Sequence, residues 1–331
     1  MGQTRGRREE GRRSIGALTL VLSERDVESL MDMKLVVSSV EEVFRRQGMG
    51  EVSNFMRTRS RGGASVLNVM HANLPYLGRG GVKAYLSSRA GTVFALLLFD
   101  TKDSRLLAIM GADILGRFRT GAASAVATEY LYGKRTGTLA VFGSGKQALT
   151  QVLAMEEVMS LDEVRVWSPT PGHRVAFAQK LRTYGFNSSD FDFPTIALKG
   201  AEVATAITSS RRPFLTDEML ENLMHLNIAG GNVSNHAEVT AAGVGSFSTI
   251  AVDDIAQAKI EYGDLIQAAK EGVFSWESAI ELGAFVSGKR KPEGRTLFKS
   301  GGAALEDVAV ASMIYDRATK SSRSYPSVEL V

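Results

Sequence analysis

Apolar residues divide the chain into a first part with closely spaced strand patterns and a second part in which strands and helices alternate. In the first part, apolar and β-branched runs separated by glycines predict a sheet. These runs are Ser65–Met70, Gly81–Leu86, Val93–Phe99 and Leu106–Met110. An alanine-rich segment that starts at Arg119 then predicts a helix, whose small side chains permit close packing against another backbone.

The second part opens with a predicted strand at Thr138–Phe142, then a turn, a helix from Gln147 to Met159 and a second strand at Glu163–Trp167. Further strand patterns follow a second predicted helix. They are Glu202–Thr208, Leu226–Ala229 and Ile250–Val252. This order predicts an α/β fold with a Rossmann-type, doubly wound and largely parallel sheet.

A glycine turn joins the first strand of this second part to its helix. Its residues are Gly143, Ser144, Gly145, Lys146 and Gln147. Glycines allow a sharp bend and a close approach to a pyrophosphate, and the N–H groups that begin the helix attract that anion. Two glycines alone are weak evidence. Their position between a strand and a helix favours a dinucleotide site over a turn without a ligand.

The end of the second strand bears on the choice between NAD and NADP. An acidic residue there would bind the ribose hydroxyls of NAD and repel a 2′-phosphate. The segment from Val164 to Arg174 has no acidic residue at this place, but offers Ser168, Thr170 and Arg174. We therefore expect NADP, with NAD possible, and Arg174 as a solvated helix residue is the alternative. Thr208 is a further candidate cofactor contact.

Charge and composition exclude several other classes of protein. Five arginines and two glutamates in Met1–Gly16 account for the net charge of +3, so the rest of the chain is formally neutral. We expect this arm to be disordered, and a neutral body lacks the basic surface that nucleic acid requires. The chain has no cysteine, and its four histidines show no metal-ligand spacing. We expect a cytoplasmic protein with no metal, no nucleic-acid partner and no membrane segment.

Several ordered motifs resemble the ornithine cyclodeaminase/μ-crystallin family, which includes archaeal-type alanine dehydrogenases and ketimine reductases. They are Arg119–Thr128, Phe142–Ala148, Leu297–Asp307 and Gly81–Lys83. The resemblance implies a discontinuous α+β substrate-binding and dimerisation domain, residues 17–120 completed by 303–331, beside a Rossmann domain of residues 121–302. It also implies a homodimer that acts on small α-amino or α-imino acids with NAD(P).

The resemblance also indicates which cations bind the substrate. Arg57 lies thirteen residues before Met70, the family's spacing for a carboxylate-binding arginine, and Arg59 is the rival candidate. Lys83 matches the family's active-site lysine, and a lysine in a short apolar strand is costly unless it is paired or used. Arg119 is expected at both the substrate carboxylate and the cofactor. Thr120 is either a cofactor contact or only the helix cap.

One departure from the family pattern shapes the functional prediction. The position of the cyclodeaminases' aspartate is Asn232 here, and an amide cannot accept a proton as a carboxylate can. His236 is a candidate substitute acid or base, with an ordinary loop histidine as the alternative. We therefore expect an NADPH-preferring reductase of α-imino acids. The alternatives are an amino-acid dehydrogenase or cyclodeaminase on the same fold, and a cofactor-binding protein without turnover.

Overall fold

A computed structural model describes residues 18–330 of the chain. The predicted disordered arm, Met1–Gly16, lies outside these residues. Two sheets share the chain, one of seven strands and one of eight. The first and last described segments meet in the first sheet, where Leu20 pairs with Ser327. The prediction of a Rossmann sheet beside a discontinuous α+β domain is confirmed.

The seven-stranded sheet is mostly antiparallel, in the order β15-β1-β6-β5-β4-β3-β2. Its strands are β1 (Thr19–Leu22), β2 (Ser53–Gly62), β3 (Ser65–Leu74), β4 (Arg79–Ser88), β5 (Gly91–Asp100), β6 (Leu106–Gly111) and β15 (Ser327–Val328). Its helices are α1 (Glu24–Ser29), α2 (Met33–Met49) and the C-terminal α12 (Ala304–Lys320), with a 3₁₀ turn at Pro75–Leu77. α12 packs against β2, β3 and β4 so closely that a Cβ on Gly81 would lie 2.8 Å from Val308.

The eight-stranded sheet is parallel throughout, in the order β13-β12-β14-β11-β10-β7-β8-β9. Its strands are β7 (Thr136–Phe142), β8 (Ser160–Trp167), β9 (Ser188–Asp190), β10 (Val203–Ala206), β11 (His225–Ile228), β12 (Thr249–Val252), β13 (Ala279–Glu281) and β14 (Thr296–Lys299). The helix α3 (Asp113–Leu131) joins the first sheet to the second. The helices that connect the strands of the second sheet are α4 (Ala148–Glu156), α5 (Pro171–Thr183), α6 (Pro194–Leu198), α7 (Asp217–Leu220), α8 (Ala241–Gly245), α9 (Ile255–Glu261), α10 (Gly263–Lys270) and α11 (Leu282–Val286), with a 3₁₀ turn at Trp276–Ser278. The strand order reverses between β7 and β10, which opens a crevice at their carboxyl ends.

The helix predicted from Arg119 starts earlier, at Asp113. Its first N–H groups are capped by a distant residue, since the Glu24 carboxylate accepts bonds from Asp113 N at 2.8 Å and Ile114 N at 3.0 Å. Thr120 therefore lies inside α3 and is not a helix cap, because its hydroxyl donates to Gly116 O of the preceding turn. α3 also runs across the predicted domain boundary at residue 120. The bounds of the two domains stay a prediction.

None of the helices formed by residues 18–330 is both long enough and apolar enough to cross a membrane. Within the same residues, no three His, Asp or Glu side chains are grouped as metal ligands would be.

Gly121 sets the distance between α3 and α4, the helix that follows the glycine turn. A Cβ there would collide with the carbonyl oxygen of Thr150. We expect Gly121→Ala to destabilise the protein by about 1–3 kcal/mol because the helices must separate. Urea unfolding measures this change. Gly172→Ala is the matched control, since a Cβ on that helical glycine meets nothing within 4 Å. Equal stability of the two variants would contradict this account of the helix packing.

Candidate active site

A cavity of about 430 Å³ lies between the inner face of β2–β5, the first turns of α3 and the glycine turn. Seven cationic side chains line it: Arg57, Arg59, Arg61, Lys83, Arg117, Arg119 and Lys146. Asn232 and Thr120 also lie in its wall. The structure thus brings the three predicted substrate-binding cations, Arg57, Lys83 and Arg119, together in one place. We call this space the cationic cavity.

Asp307 joins two of these cations at the base of the cationic cavity. Its Oδ1 accepts a hydrogen bond from Lys83 Nζ at 2.7 Å and from Arg119 Nε at 3.0 Å. The neighbouring Glu306 accepts a bond from Arg119 Nη1 at 3.2 Å and one from Ala303 N at 2.9 Å. Both carboxylates are fully buried. Removing one partner of such a buried pair typically costs 3–5 kcal/mol, so these contacts fix where the cations stand.

Burial acts differently on the groups of this cluster. It lowers the pKa of Lys83, although Asp307 opposes the shift. Burial also tends to raise the pKa of Asp307, but Lys83 and Arg119 outweigh it and hold the carboxyl ionised. The pKa of Glu306 rises to about 8, mainly through burial. A lysine with a lowered pKa gives up its proton more readily than an ordinary lysine, which suits a general acid.

Arg57 and Arg59 form a second cluster, with Glu261 of α9. Both guanidinium groups pair with the Glu261 carboxylate. Arg57 Nη2 also donates to Gly301 O at 2.9 Å and Gly302 O at 3.2 Å, whereas its Nε has no partner among the described residues. Arg59 Nη2 donates to Asn232 O at 2.8 Å. Both arginines lie on β2, which is not among the strands predicted from the sequence.

A second cavity, of about 570 Å³, lies at the carboxyl ends of β7, β8, β10 and β11. All five residues of the predicted glycine turn line it, as do Ser168, Thr170 and Thr208. Gly143 has a φ of 117°, and a Cβ there would lie 2.5 Å from Ile207 O. Lys146 and Gln147 also line the cationic cavity, so the two cavities lie next to each other.

The second cavity fits a dinucleotide. Ser144 donates to Ser168 Oγ at 2.9 Å across the turn, and Gln147 Oε1 is buried without a partner among the described residues. Trp167 and Phe214, with ring centroids 5.1 Å apart, form an aromatic wall. The two glycines of the turn and the start of the helix suit a pyrophosphate, and the aromatic wall suits a base.

Buried Glu238 braces the edge of this second cavity. Its carboxylate accepts bonds from Thr208 N at 2.7 Å and Gly230 N at 3.1 Å, and its own N–H donates to Asp264 at 2.6 Å. Asp264 in turn pairs with Lys299 Nζ at 3.1 Å. These contacts join the ends of β10, β11 and β14, which places Thr208 at the cavity.

Arg174 and His236 are predicted site residues that the structure places elsewhere. The Arg174 guanidinium pairs with Asp192 and lies 3.7 Å from Asp190, so it does not line the second cavity. His236 lies behind Gly231 and outside both cavity walls. Burial, Arg211 and Lys299 lower its pKa. Neither side chain lines either cavity, and their roles at the site stay predictions.

Sequence reasoning missed the carboxylates that hold the cations: Asp307, Glu306 and Glu261. A signal existed for two of them. Glu306 and Asp307 interrupt a run of alanine, leucine and valine from Ala303 to Ala311, and acids within such a buried helix need cationic partners. Glu261 carries no comparable signal, because it lies about 200 residues from Arg57 in an ordinary amphipathic helix.

The raised pKa of Glu306 predicts a pH-dependent stability. A raised folded-state pKa favours the protonated native state, so this stabilisation is complete below about pH 4.5 and is lost as the pH rises through about 8. Glu306→Gln removes the titrating group. We expect the free energy of unfolding to fall less between about pH 5 and about pH 9 in this variant than in the wild type, as urea titrations measure. Glu221→Gln, at an exposed position, should keep the wild-type slope.

Comparisons with known proteins agree with this geometry. Residues 18–322 match the model of the ornithine cyclodeaminase/mu-crystallin family. The alanine dehydrogenase of Archaeoglobus fulgidus is 29% identical over 313 residues, which are 91% of this chain and 95% of that protein. The Δ1-pyrroline-2-carboxylate reductase of Thermococcus litoralis, solved with NADH and L-proline, has 28% identity and a TM-score of 0.84 over 91% of this chain and 98% of that one. An archaeal alanine dehydrogenase dimer with bound NAD has 25% identity and a TM-score of 0.86, over 95% and 100% of the two chains. The chain belongs to the ornithine cyclodeaminase/mu-crystallin family.

Proposed function

We propose that this protein is an NAD(P)H-dependent oxidoreductase that reduces the C=N bond of an α-imino acid. One observation carries the proposal: the cationic cavity and the dinucleotide-shaped cavity adjoin, and Lys146 and Gln147 line both. Cations suit the carboxylate of an imino acid, and the junction is where a nicotinamide would meet it. The names of the relatives, an imine reductase and alanine dehydrogenases, support the same reaction class.

Different residues of the chain would bind the cofactor, bind the substrate and donate the proton. The glycine turn Gly143–Gln147 would hold the pyrophosphate, and the bound dinucleotide would supply the hydride that the imine carbon receives. Arg57 and Arg119 would hold the substrate carboxylate, since guanidinium groups bind both carboxylate oxygens in one plane. Lys83 Nζ would give the imine nitrogen its proton, and Asp307 keeps that ammonium in place. The product is an α-amino acid and the oxidised cofactor.

We propose NADP(H), not NAD(H), as the cofactor. This choice is supported by the hydroxyls of Ser168 and Thr170 in the cavity wall and by the absence of an acidic residue among those that line it. Arg174 no longer supports it, because Asp192 and Asp190 engage its guanidinium. The predicted cytoplasmic localisation also stays a prediction.

The test is turnover of the purified protein with NADPH and with NADH. The substrates are Δ1-pyrroline-2-carboxylate, Δ1-piperideine-2-carboxylate, and 2-oxo acids with ammonia. Reduction of one or more of these imines, with a higher kcat/KM for NADPH, supports both proposals. A preference for NADH overturns the cofactor choice alone. Release of ammonia from ornithine without imine reduction would instead favour a cyclodeaminase and contradict the weight we give to Asn232.

Lys83→Met tests the proton donor. We expect kcat/KM to fall by at least about 100-fold, because general acid catalysis contributes that much, while NADPH affinity changes little. Fluorescence titration measures the affinity. Lys102→Met, an exposed lysine that lines neither cavity, should behave as the wild type. Equal turnover by the wild type and Lys83→Met would show that Lys83 is not catalytic.

We also propose a homodimer formed through the outer face of the seven-stranded sheet. Leu67, Leu86 and Val93 are 42%, 47% and 76% exposed and stand opposite one another across β3, β4 and β5. A contiguous apolar sheet face of this kind is typical of an interface. The archaeal alanine dehydrogenase on the same fold is a dimer.

Val93→Asp should shift the protein from dimer to monomer, because a carboxylate would be desolvated within that face. Light scattering after size exclusion measures the mass. Val175→Asp changes an exposed valine of α5 in the same way and should leave the mass unchanged. A wild-type monomer would refute the dimer itself.

A further inference from the structure

Three arginines follow one another at alternate positions of β2, Arg57, Arg59 and Arg61, and all three line the cationic cavity. Arg59 and Arg61 stand opposite Asn68 and Val66 of β3, whose side chains share that wall. Since a strand rises about 3.3 Å per residue, the row extends about 13 Å from the floor of the cavity to its mouth. Exposure rises along it, from 2% of the Arg57 side chain to 18% of Arg59, and Arg61 is exposed.

The internal ion pairs leave this row with excess positive charge. Arg57 and Arg59 share one carboxylate, Glu261. Arg61 has no ion-pair partner within residues 18–330. On the opposite side, Asp113 is already paired with Arg117. Because the α-carboxylate of a monocarboxylic substrate would meet the inner group of Arg57, Lys83 and Arg119, it would leave the charge of Arg59 and Arg61 unbalanced.

The wall around the outer arginines combines polar and apolar side chains. Asn68, Tyr85, Ser87 and Thr92 lie beside them along β3, β4 and β5, together with the apolar Val66 and Phe94. Thr92 donates to Ser87 Oγ at 3.1 Å, and the Asn68 amide donates to Val66 O at 3.1 Å. Beside its apolar residues, this wall offers hydroxyl and guanidinium donors that can bind a charged group at the end of a substrate side chain. It suits a substrate side chain that ends in an anion.

We propose that the substrate is an α-imino dicarboxylic acid whose second carboxylate binds to Arg59 and Arg61. The proposal rests on the imine-reductase function above and specifies its substrate class. The second carboxylate is unchanged in the reaction: the imine carbon gains a hydride from the reduced cofactor, and the nitrogen gains a proton. Arg59 also holds Asn232 and Glu261 in place, whereas Arg61 is free of such contacts within the described chain, so Arg61 is the residue to vary.

The experiment compares kcat/KM for oxaloacetate with ammonia and for pyruvate with ammonia, which form a dicarboxylic and a monocarboxylic imine. We expect the wild type to prefer the dicarboxylic imine. Arg61→Ala should lower the ratio of the two values about tenfold, the effect of one hydrogen-bonded charge pair, and Arg61→Lys should restore part of it. Arg89→Ala, an exposed arginine in the next hairpin that lines neither cavity, should leave the ratio unchanged.

Calorimetry with succinate and butyrate, in the presence of oxidised cofactor, provides a readout that needs no turnover. We expect succinate to bind more tightly than butyrate in the wild type and to lose this advantage in Arg61→Ala. Equal binding of both acids by the wild type, or an unchanged ratio in Arg61→Ala, overturns the proposal. If no imine is reduced but succinate still binds through Arg61, the imine-reductase function fails and the second carboxylate site does not.

Discussion

The need to neutralise buried cations constrains this structure more than any other requirement. Lys83 and Arg119 come from distant parts of the chain, and their charges lie within one cavity wall. A single oxygen of Asp307 accepts a hydrogen bond from each of the two cations. Without this carboxylate, the two cations would repel each other in a medium of low dielectric constant. The position of α12, which carries Asp307, is therefore a condition for the site as well as a part of the fold.

This condition explains why the chain must return to its first sheet. β14 inserts between β11 and β12 of the parallel sheet, and the Gly301–Gly302 turn leads directly from it into α12. At that turn, Gly302 has a φ of 82°, and a Cβ would collide with the Arg119 guanidinium. Asp253 accepts the N–H groups of both glycines, at 3.0 and 2.7 Å. The Gly301–Gly302 turn is therefore held in one position, so the parallel sheet determines where α12 begins to pack against the first sheet.

Local pattern was enough to predict the parallel sheet, the glycine turn and the cations of the cavity, because each rests on residues adjacent in sequence or on a family motif. Contacts between distant residues decided the rest. Glu24 extends α3 to Asp113, which no local signal shows. β2 forms a strand although Arg57 and Arg59 make it polar, because Glu261 and the carbonyls of α12's leading turn bind those arginines. The pairing of Arg174 is of the same kind, since Asp192 follows it by 18 residues and no local signal shows the contact.

The raised pKa of Glu306 also affects the charge around the cavity. Burial raises its pKa to about 8, so near neutral pH it carries less negative charge towards Arg119 than an ordinary carboxylate would. Asp307 is then the main counter-charge for both Lys83 and Arg119, which favours the binding of a substrate carboxylate beside them. A fully ionised Glu306 would already balance Arg119 and weaken that attraction. The apolar surroundings of α12 therefore do more than support the fold: by raising the pKa of one acid, they reduce its charge beside Arg119 and favour the binding of an anion.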